Sequence, residues 1–436
     1  MNKADSGAPA WSGAPPANET HPEALFGVGG KVYPGWLTAF ASLIGMTLGP
    51  SCVLVFCFGT FVVPLEREFG WGIGAISLGA TLITVMIVLT SLTAGYLIDR
   101  VGARKLVLCS MPLFGAAVAG LALLDADIRY FYAGLALAAL AGVGVWPISY
   151  NKLTANWFDR RLGTSLGLAN AGIGIGAALL PAMLGWLIPA YGWRAGYLVL
   201  GVLAVVIPWP LCYFMLRERA AAPVSGTARM QVAPIAPAAG MSFAEVRRTP
   251  EFWLALGGFL VLGAASSGVV VHQVRILIDT GITPQKAAAM QSVLGIALIA
   301  GRIGTGWLLD RMAVSRVMVV LCLLAAMSLG LLAAGAPFGT APLCALLIGF
   351  IIGAEFDVLG YMIPRYFGRR AFGRVYGAVF AVFQVAAAVT IGMLGALRAS
   401  QGSYGPGLTG VAILMLAGAL LFSRLGPYRF APGAAH

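Results

Sequence analysis

The sequence predicts an all-α integral membrane protein of twelve transmembrane helices, arranged as two pseudo-symmetric six-helix bundles. Three observations carry this. The 436 residues are 59% hydrophobic and only 10% charged, whereas a soluble domain carries roughly 25% charged residues. The apolar residues run without interruption, as from Ile73 to Ile98, where no charge falls. Runs of about 18 or more apolar residues are long enough to span a bilayer as helix, and helix is the form in which one segment satisfies its own backbone in lipid. Finally, short motifs in the first half recur in the second at nearly one offset.

Taken in order, the spans fall at 36–64, 73–98, 105–124, 129–150, 164–190 and 194–216, then at 252–278, 286–309, 315–335, 340–363, 372–397 and 405–425. Gly49-Pro50 in the first span removes a backbone donor and bends that helix. Residues 1–33 are rich in Ala, Pro, Gly and Ser without an apolar core, which reads as a disordered cytoplasmic tail and not a signal peptide. The first bundle then occupies 34–216, a cytoplasmic linker with five arginines 217–251, the second bundle 252–426, and a short cytoplasmic tail 427–436.

The formal net charge is +12. In a soluble chain that would suggest nucleic acid; here the charges sit in short loops and set orientation. With the N-terminus inside, the outer loops hold only Arg67, Arg129, Arg194, Lys286 and Arg398. Arg275 and Arg302 lie within spans, and all the rest of the 28 Lys and Arg fall on inner segments. That asymmetry places both termini in the cytoplasm. The six cysteines lie in or beside apolar runs without metal-ligand spacing and read as small core hydrophobes. No nucleophile–base constellation or phosphate-cradling glycine loop is present, which argues against an enzyme and against ATP-driven transport. No cofactor is expected.

The internal repeat is specific. Gly95-Tyr96-Leu97-Ile98-Asp99-Arg100 follows the second span, and Gly306-Trp307-Leu308-Leu309-Asp310-Arg311 follows the eighth. Trp157-Phe158-Asp159-Arg160-Arg161 opens the fifth span and Tyr366-Phe367-Gly368-Arg369-Arg370 the eleventh. A duplicated architecture around a central site is the usual frame for alternating access.

Residues 95–105 read G-Y-L-I-D-R-V-G-A-R-K. They resemble the loop signature G-x-L-x-D-R-x-G-x-R-K of the major facilitator superfamily, between helices two and three. The resemblance implies a cytoplasmic latch made by Gly95, Asp99, Arg100, Gly102, Arg104 and Lys105, with Asp310 and Arg311 as the counterpart in the second half. Asp99 is expected near the start of helix eleven, where a helix N-terminus favours an anion.

Three further stretches resemble the monocarboxylate transporter and oxalate/formate antiporter group: Phe69-Gly70-Trp71, residues 157–172, and Gly353-Ala354-Glu355-Phe356-Asp357 through Gly368. Members of that group keep an arginine in helix eight that binds the substrate carboxylate, and Arg302 stands at the matching place. Two positions depart. Animal members carry an aspartate one turn before that arginine, where this chain has Leu298, and a lysine in helix one, where this span has no charge.

The charged residues within spans are the natural site candidates, because a charge near the bilayer centre costs about 2.5–3.5 kcal/mol on insertion scales. Arg302 either grips a substrate carboxylate bidentately or forms a structural ion pair with Glu355 or Asp357. Glu355 and Asp357, at i and i+2, face different directions; each is a candidate proton carrier or a latch partner of Arg311 or a neighbouring basic loop. His272 is a candidate proton-sensitive ligand or a hydrogen-bonded helix histidine. Asn170, Gln384 and Tyr361 are polar candidates for lining the substrate site, with helix-packing glue as the alternative for the two amides.

The expected function is secondary transport of a small organic anion, a monocarboxylate or dicarboxylate, by proton symport. Anion exchange or export, or transport of a neutral or aromatic metabolite such as a vitamin, stays open. The expected partners are the organic anion, protons and the lipid bilayer, with no nucleic acid and a monomer as the working unit. Ala- and Gly-rich spans suggest a bacterial inner membrane.

Overall fold

The computed structural model of the chain describes residues 23, 32–218, 240–279, 281–335 and 340–430. Most of the expected tail over 1–33, residues 219–239 of the expected linker and residues 431–436 of the expected C-terminal tail lie outside them.

The first span is built from α1 (Pro34–Thr47), a π-helical segment (Ser51–Phe56) and α2 (Phe58–Phe69). The second and third are α3 (Ile73–Val101) and α4 (Ala103–Gly120). The fourth combines α5 (Ile128–Ala141) and α6 (Pro147–Ala155). The fifth and sixth share α7 (Leu162–Val206), which continues as α8 (Pro208–Met215). After the short α9 (Phe243–Val246) come α10 (Pro250–Asp279), α11 (Pro284–Leu309), α12 (Val314–Ala333), α13 (Ala341–Tyr366), α14 (Phe372–Gln401) and α15 (Gly405–Ser423).

Among the described residues, ten stretches are long and apolar enough to cross a membrane. One of them, Leu162–Met215, has 54 residues and supplies two crossings, because Gly192 turns the chain at φ 81° and ψ 164°. Only a glycine adopts that conformation without strain. The apolar segment Ile296–Leu309 of α11 adds the crossing that the length criterion leaves out. The total is the twelve expected.

The local sequence explains the helix starts and breaks. Proline opens α1, α6, α8, α10 and α11, where the missing donor is one the first helical turn would not use. Pro50 inside the first span produces a wider turn: Cys57 N–H donates to the Cys52 carbonyl at 3.1 Å, five residues back. The expected bend is therefore a π-segment, between Thr47 and Phe58.

Packing follows the duplication. Helix α3 crosses α14 and α7 crosses α11, joining the two halves. Both crossings depend on paired glycines. A Cβ on Gly95 would overlap the Gly373 carbonyl, and one on Gly306 would overlap the Gly163 carbonyl. In the first half, Gly172 and Gly176 of α7 likewise press on the Leu43 and Thr47 carbonyls of α1. Such small-residue contacts let helix backbones approach closely, the dominant packing device where lipid supplies no hydrophobic drive.

The outer surface of the bundle is apolar. Leu78, Leu89, Val271, Ile296, Val389 and Ile413 are all exposed along the spans. Trp186, Tyr191 and Tyr130 are exposed at one end, and Trp253, Trp307 and Tyr213 at the other. Aromatic girdles of this kind mark the two membrane–water interfaces.

Candidate functional site

The centre of the molecule holds a charge with too few partners. Arg302 of α11 is 1% exposed, and its Nε and Nη1 have no hydrogen-bond partner. Its guanidinium lies over the Phe356 ring, 5.2 Å from the centroid. Asp357 and Glu355 of α13 act electrostatically on Arg302. Neither reaches it within ion-pair distance: Arg302 makes no salt bridge among the described residues. Asp357 is fully buried with both carboxylate oxygens unpartnered, and Glu355 is 3% exposed with Oε1 unpartnered. The structural ion pair open in the sequence is therefore not formed here. Leaving a buried polar group unsatisfied costs roughly 1–3 kcal/mol, and more for a charged one.

The first half supplies the facing wall. Asn170 of α7 stands beside Asp357. Its Nδ2 donates to Asn151 Oδ1 at 2.9 Å, and Asn151 Nδ2 donates to the Tyr376 hydroxyl of α14 at 3.1 Å. Tyr376 also lies within electrostatic reach of both Arg302 and Asp357. Phe356, Phe380 and Phe383 close the apolar side, with ring centroids 5.4–6.3 Å apart. One basic group, the Asp357 carboxylate, a polar chain and an aromatic wall thus meet where the halves join.

At the arginine-rich end, two aspartates tie the halves in mirror fashion. Asp99, at the end of α3, accepts from the backbone N–H groups of Gly373 and Arg374 at 2.9 and 3.0 Å. Lys152 Nζ pairs with it at 2.7 Å. Asp310, just past α11, accepts from the N–H groups of Gly163 and Thr164 and from the Thr164 hydroxyl, at 2.6–2.8 Å. Each carboxylate thus sits on the opening turn of a helix from the other half, where orphan donors and the helix dipole favour an anion. Burial holds the Asp310 carboxyl above the usual carboxylate range, outweighing the bonds from Thr164 and Gly163.

The same end carries further ties. Arg369 bonds the Asp159 carboxylate at 2.7 Å, and Arg365 donates to the Asp159 carbonyl. Glu23 places its carboxylate against the N–H groups of Asp159, Arg160 and Arg161 at 2.8, 3.0 and 3.0 Å. At the opposite end, two acids among the described residues bind partners of their own half. Glu68 binds Trp193 and Arg194, whose hydrogen bonds hold its carboxyl below the usual range. Asp279 binds Arg398 and Arg275. The halves are shut on the basic side.

The remaining predicted residues fall elsewhere. Arg104 caps the end of α8 by donating to the Leu216 and Tyr213 carbonyls at 2.7 and 2.9 Å. Only its backbone N–H meets a carboxylate, that of Glu218, which also faces Gly102. Arg100 bonds Tyr96 on its own helix, and Lys105 is exposed. Arg311 stacks on Trp307, 3.8 Å from the ring centroid, and makes no ion pair with Glu355 or Asp357. Tyr361 is buried beneath Arg365, toward the basic end and not beside Arg302. Gln384 is half-buried on α14 without a hydrogen bond. His272 is held by the Ile391 carbonyl at 3.0 Å and the Tyr404 hydroxyl at 3.1 Å, within the second half. Sequence reasoning passed over Asn151 and Tyr376. An asparagine in the apolar stretch 145–155 was the available signal.

The sequence matches the Major Facilitator Superfamily over residues 35–391. It is 26% identical over 415 residues to monocarboxylate transporter 13 of Rattus norvegicus, covering 90% of this chain and 87% of that protein. It is 26% identical over 341 residues to human monocarboxylate transporter 12, covering 69% and 63%. Among solved structures, the E. coli fucose:proton symporter FucP aligns with a TM-score of 0.64 at 16% identity, over 90% of this chain and 97% of that one. The human organic anion transporter MFSD10 aligns with a TM-score of 0.65 at 14% identity, over 89% and 99%. At such identities the structural likeness establishes the fold alone. The expected bacterial inner membrane is corrected by these sequence relatives, which are vertebrate proteins. The Ala- and Gly-rich spans that suggested it serve helix crossings such as Gly95 on Gly373, a packing demand independent of source. The multi-pass membrane placement stands, and the chain belongs to the Major Facilitator Superfamily: it is a transporter, not an enzyme.

Proposed function

We propose that this transporter moves a small organic anion, a monocarboxylate or dicarboxylate, by alternating access, with a proton travelling alongside it. One observation carries the reading: a fully buried guanidinium, Arg302, with Nε and Nη1 unpartnered where the two halves meet. A guanidinium stays charged at any physiological pH and presents a planar fork that matches a carboxylate. The rest of the pocket wall is aromatic, as suits the carbon skeleton of a small acid. The names of the sequence relatives, monocarboxylate transporters, support the same cargo class.

In this reading the bonds of Asp99 and Asp310 are the cytoplasmic gate, and the two bundles over 34–216 and 252–426 rock about the central site. Gly95 and Gly306 permit the close contact, while Arg104 and Gly102 shape the loop that carries Asp99. His272 serves the packing of the second half, since both ring nitrogens already have partners there. The acids of α13 are the groups placed to carry the proton.

The test is uptake of radiolabelled monocarboxylates and dicarboxylates into proteoliposomes under an inward proton gradient. Wild-type protein accumulates one or more of them, a proton uncoupler abolishes the accumulation, and Arg302→Ala loses it. Accumulation of a neutral metabolite that is unchanged in Arg302→Ala would favour the alternative cargo. Full counterflow without any response to the proton gradient would favour exchange.

A further inference from the structure

Two arginines from opposite halves converge on one ring at the basic end. Arg100 lies in the last turn of α3 and Arg374 in the first turn of α14. The Arg100 guanidinium stands 5.9 Å from the Tyr96 ring centroid, and that of Arg374 stands 5.3 Å from the same centroid. Arg100 Nη1 also donates to the Tyr96 hydroxyl at 2.9 Å. Neither guanidinium makes a salt bridge among the described residues. Asp99 is the acid of this crossing, and it is spent elsewhere. Its side chain is 5% exposed and is taken up by Lys152 at 2.7 Å and by the Gly373 and Arg374 N–H groups.

Orientation in the membrane does not ask for this geometry. An orienting arginine needs only to lie on the inner side, and two like charges drawn to one ring repel each other. Other arginine stacks at this end, Arg104 on Tyr213 and Arg311 on Trp307, stay within one half. At Tyr96 the two cations come from two bodies that separate when the transporter opens.

The surroundings favour one kind of anion. Arg100 and Arg374 are exposed, and Tyr96 is exposed between them. Back along α3 the same outer face continues through Leu92, Leu89 and Val85, each about half exposed. Spaced three or four residues apart, these share one face of the helix with Tyr96 and Arg100. A group held by the arginines therefore sits at the head of an apolar stripe that faces acyl chains. A free anion would use the charges alone, whereas a phospholipid uses both.

We propose that Tyr96, Arg100 and Arg374 bind the phosphate of an anionic phospholipid in the leaflet at the basic end, and that this lipid ties α3 to α14 and favours the state closed on that side. Each guanidinium offers a planar fork to phosphate oxygens. The Tyr96 hydroxyl accepts from Arg100 and keeps its own hydrogen to donate. The phosphate also relieves the repulsion between the two arginines. When the halves part, Arg374 leaves with α14, and the phosphate keeps only Arg100 and Tyr96. A ligand shifts a two-state equilibrium only by its difference in affinity for the two states, and here that difference is one arginine.

The site lies on the outer face, apart from buried Arg302, so its test uses no cargo. Spin labels are placed on the basic ends of α7 and α11, at the other crossing. Their distance distribution is measured in nanodiscs of phosphatidylcholine, with and without a third of phosphatidylglycerol. For wild-type protein the anionic lipid raises the closed-to-open ratio roughly fivefold, the worth of one arginine at an anionic surface. Arg100→Gln and Arg374→Gln each lose this response, the double variant loses no more than either, and each single variant decides the matter should the other fail to fold. Arg311→Gln, which removes a cation of the same end stacked within one half, keeps it. Native mass spectrometry of protein released from the mixed nanodiscs finds phosphatidylglycerol retained by wild type and depleted in both single variants. A full response in Arg100→Gln or Arg374→Gln overturns the proposal, as does a response lost equally in Arg311→Gln, which would mark general surface charge. A response reproduced by inorganic phosphate in phosphatidylcholine alone overturns the lipid as the ligand. Failure of the cargo reading appears separately, as Arg302-independent uptake.

Discussion

The two gate aspartates occupy equivalent places but are expected to respond oppositely to neutralisation. Asp99 has Lys152 at 2.7 Å as a counter-charge, with side-chain exposures of 5% and 14%. The lysine gives the buried Asp99 carboxylate a counter-charge in the closed gate. Its two bonds to the Gly373 and Arg374 N–H groups are then charge-assisted, worth roughly 1.5–3 kcal/mol each. Asp99→Asn keeps one neutral acceptor worth about 1 kcal/mol. The net loss of closure is about 2–5 kcal/mol, a shift of at least roughly 30-fold toward the open gate. Among the described residues Asp310 has no counter-ion within salt-bridge distance, and burial favours its neutral form. A carboxyl raised in the closed state contributes closure that is complete below the ordinary carboxylate value and weakens as pH rises through the raised one. Asp310→Asn mimics the neutral form, so the gate closes as well as in wild type, or better, at neutral pH. Inter-half distance distributions, or crosslinking of cysteines placed across the basic end, measure both. Equal opening by the two substitutions, or no effect of Asp99→Asn, would refute the reasoning.

Three other outcomes follow from named contacts. Glu23→Gln removes the charge that three backbone N–H groups share at Asp159–Arg161. Hydrogen exchange at Arg160 and Arg161 should rise about tenfold, for a loss of roughly 1–2 kcal/mol, and unchanged protection would contradict it. Gly306→Val places a side chain against the Gly163 carbonyl; the protein should fold, yet its basic end should stay open to a membrane-impermeant thiol reagent in spin-label-free cysteine reporters, and wild-type closure would count against the crossing. Hydrogen bonds from Arg194 and Trp193 hold Glu68 below the usual carboxylate range. Its contribution to stability is therefore present above the ordinary value and lost as pH falls through the depressed one. The melting temperature of Glu68→Gln should accordingly converge on that of wild type in acid, and a gap that persists there would exclude the contact as its source.

Much of this molecule was legible as sequence. The spans follow from apolar runs, and the break at Gly49-Pro50 from a missing donor. The fifth and sixth spans were separated at Gly192 even though the helix runs almost continuously through it. The latch motif pointed Asp99 at helix eleven, and the repeat marked Asp310 and Arg311 as its counterpart in the second half. What composition and spacing could not give was which buried charges meet. Glu355 and Asp357 are two residues apart, yet one faces a cavity inside its own half and the other the boundary between halves. Arg311 could equally have paired with either; its stacking on Trp307 is a contact of i and i+4 that outcompetes a distant acid. Asn151 and Tyr376 were illegible because a lone polar side chain in a span says nothing about its partner until the helices are placed.

The central claim is that Arg302 is held unpaired for a carboxylate cargo. The most direct measurement is accumulation of labelled carboxylates in proteoliposomes by wild type, Arg302→Ala and Arg302→Lys, with each variant checked for folding. Wild type should accumulate the anion. Arg302→Ala should lose uptake, and Arg302→Lys should keep a weakened site, because a lysine restores the charge but not the bidentate fork. Undiminished uptake in Arg302→Ala would contradict the account.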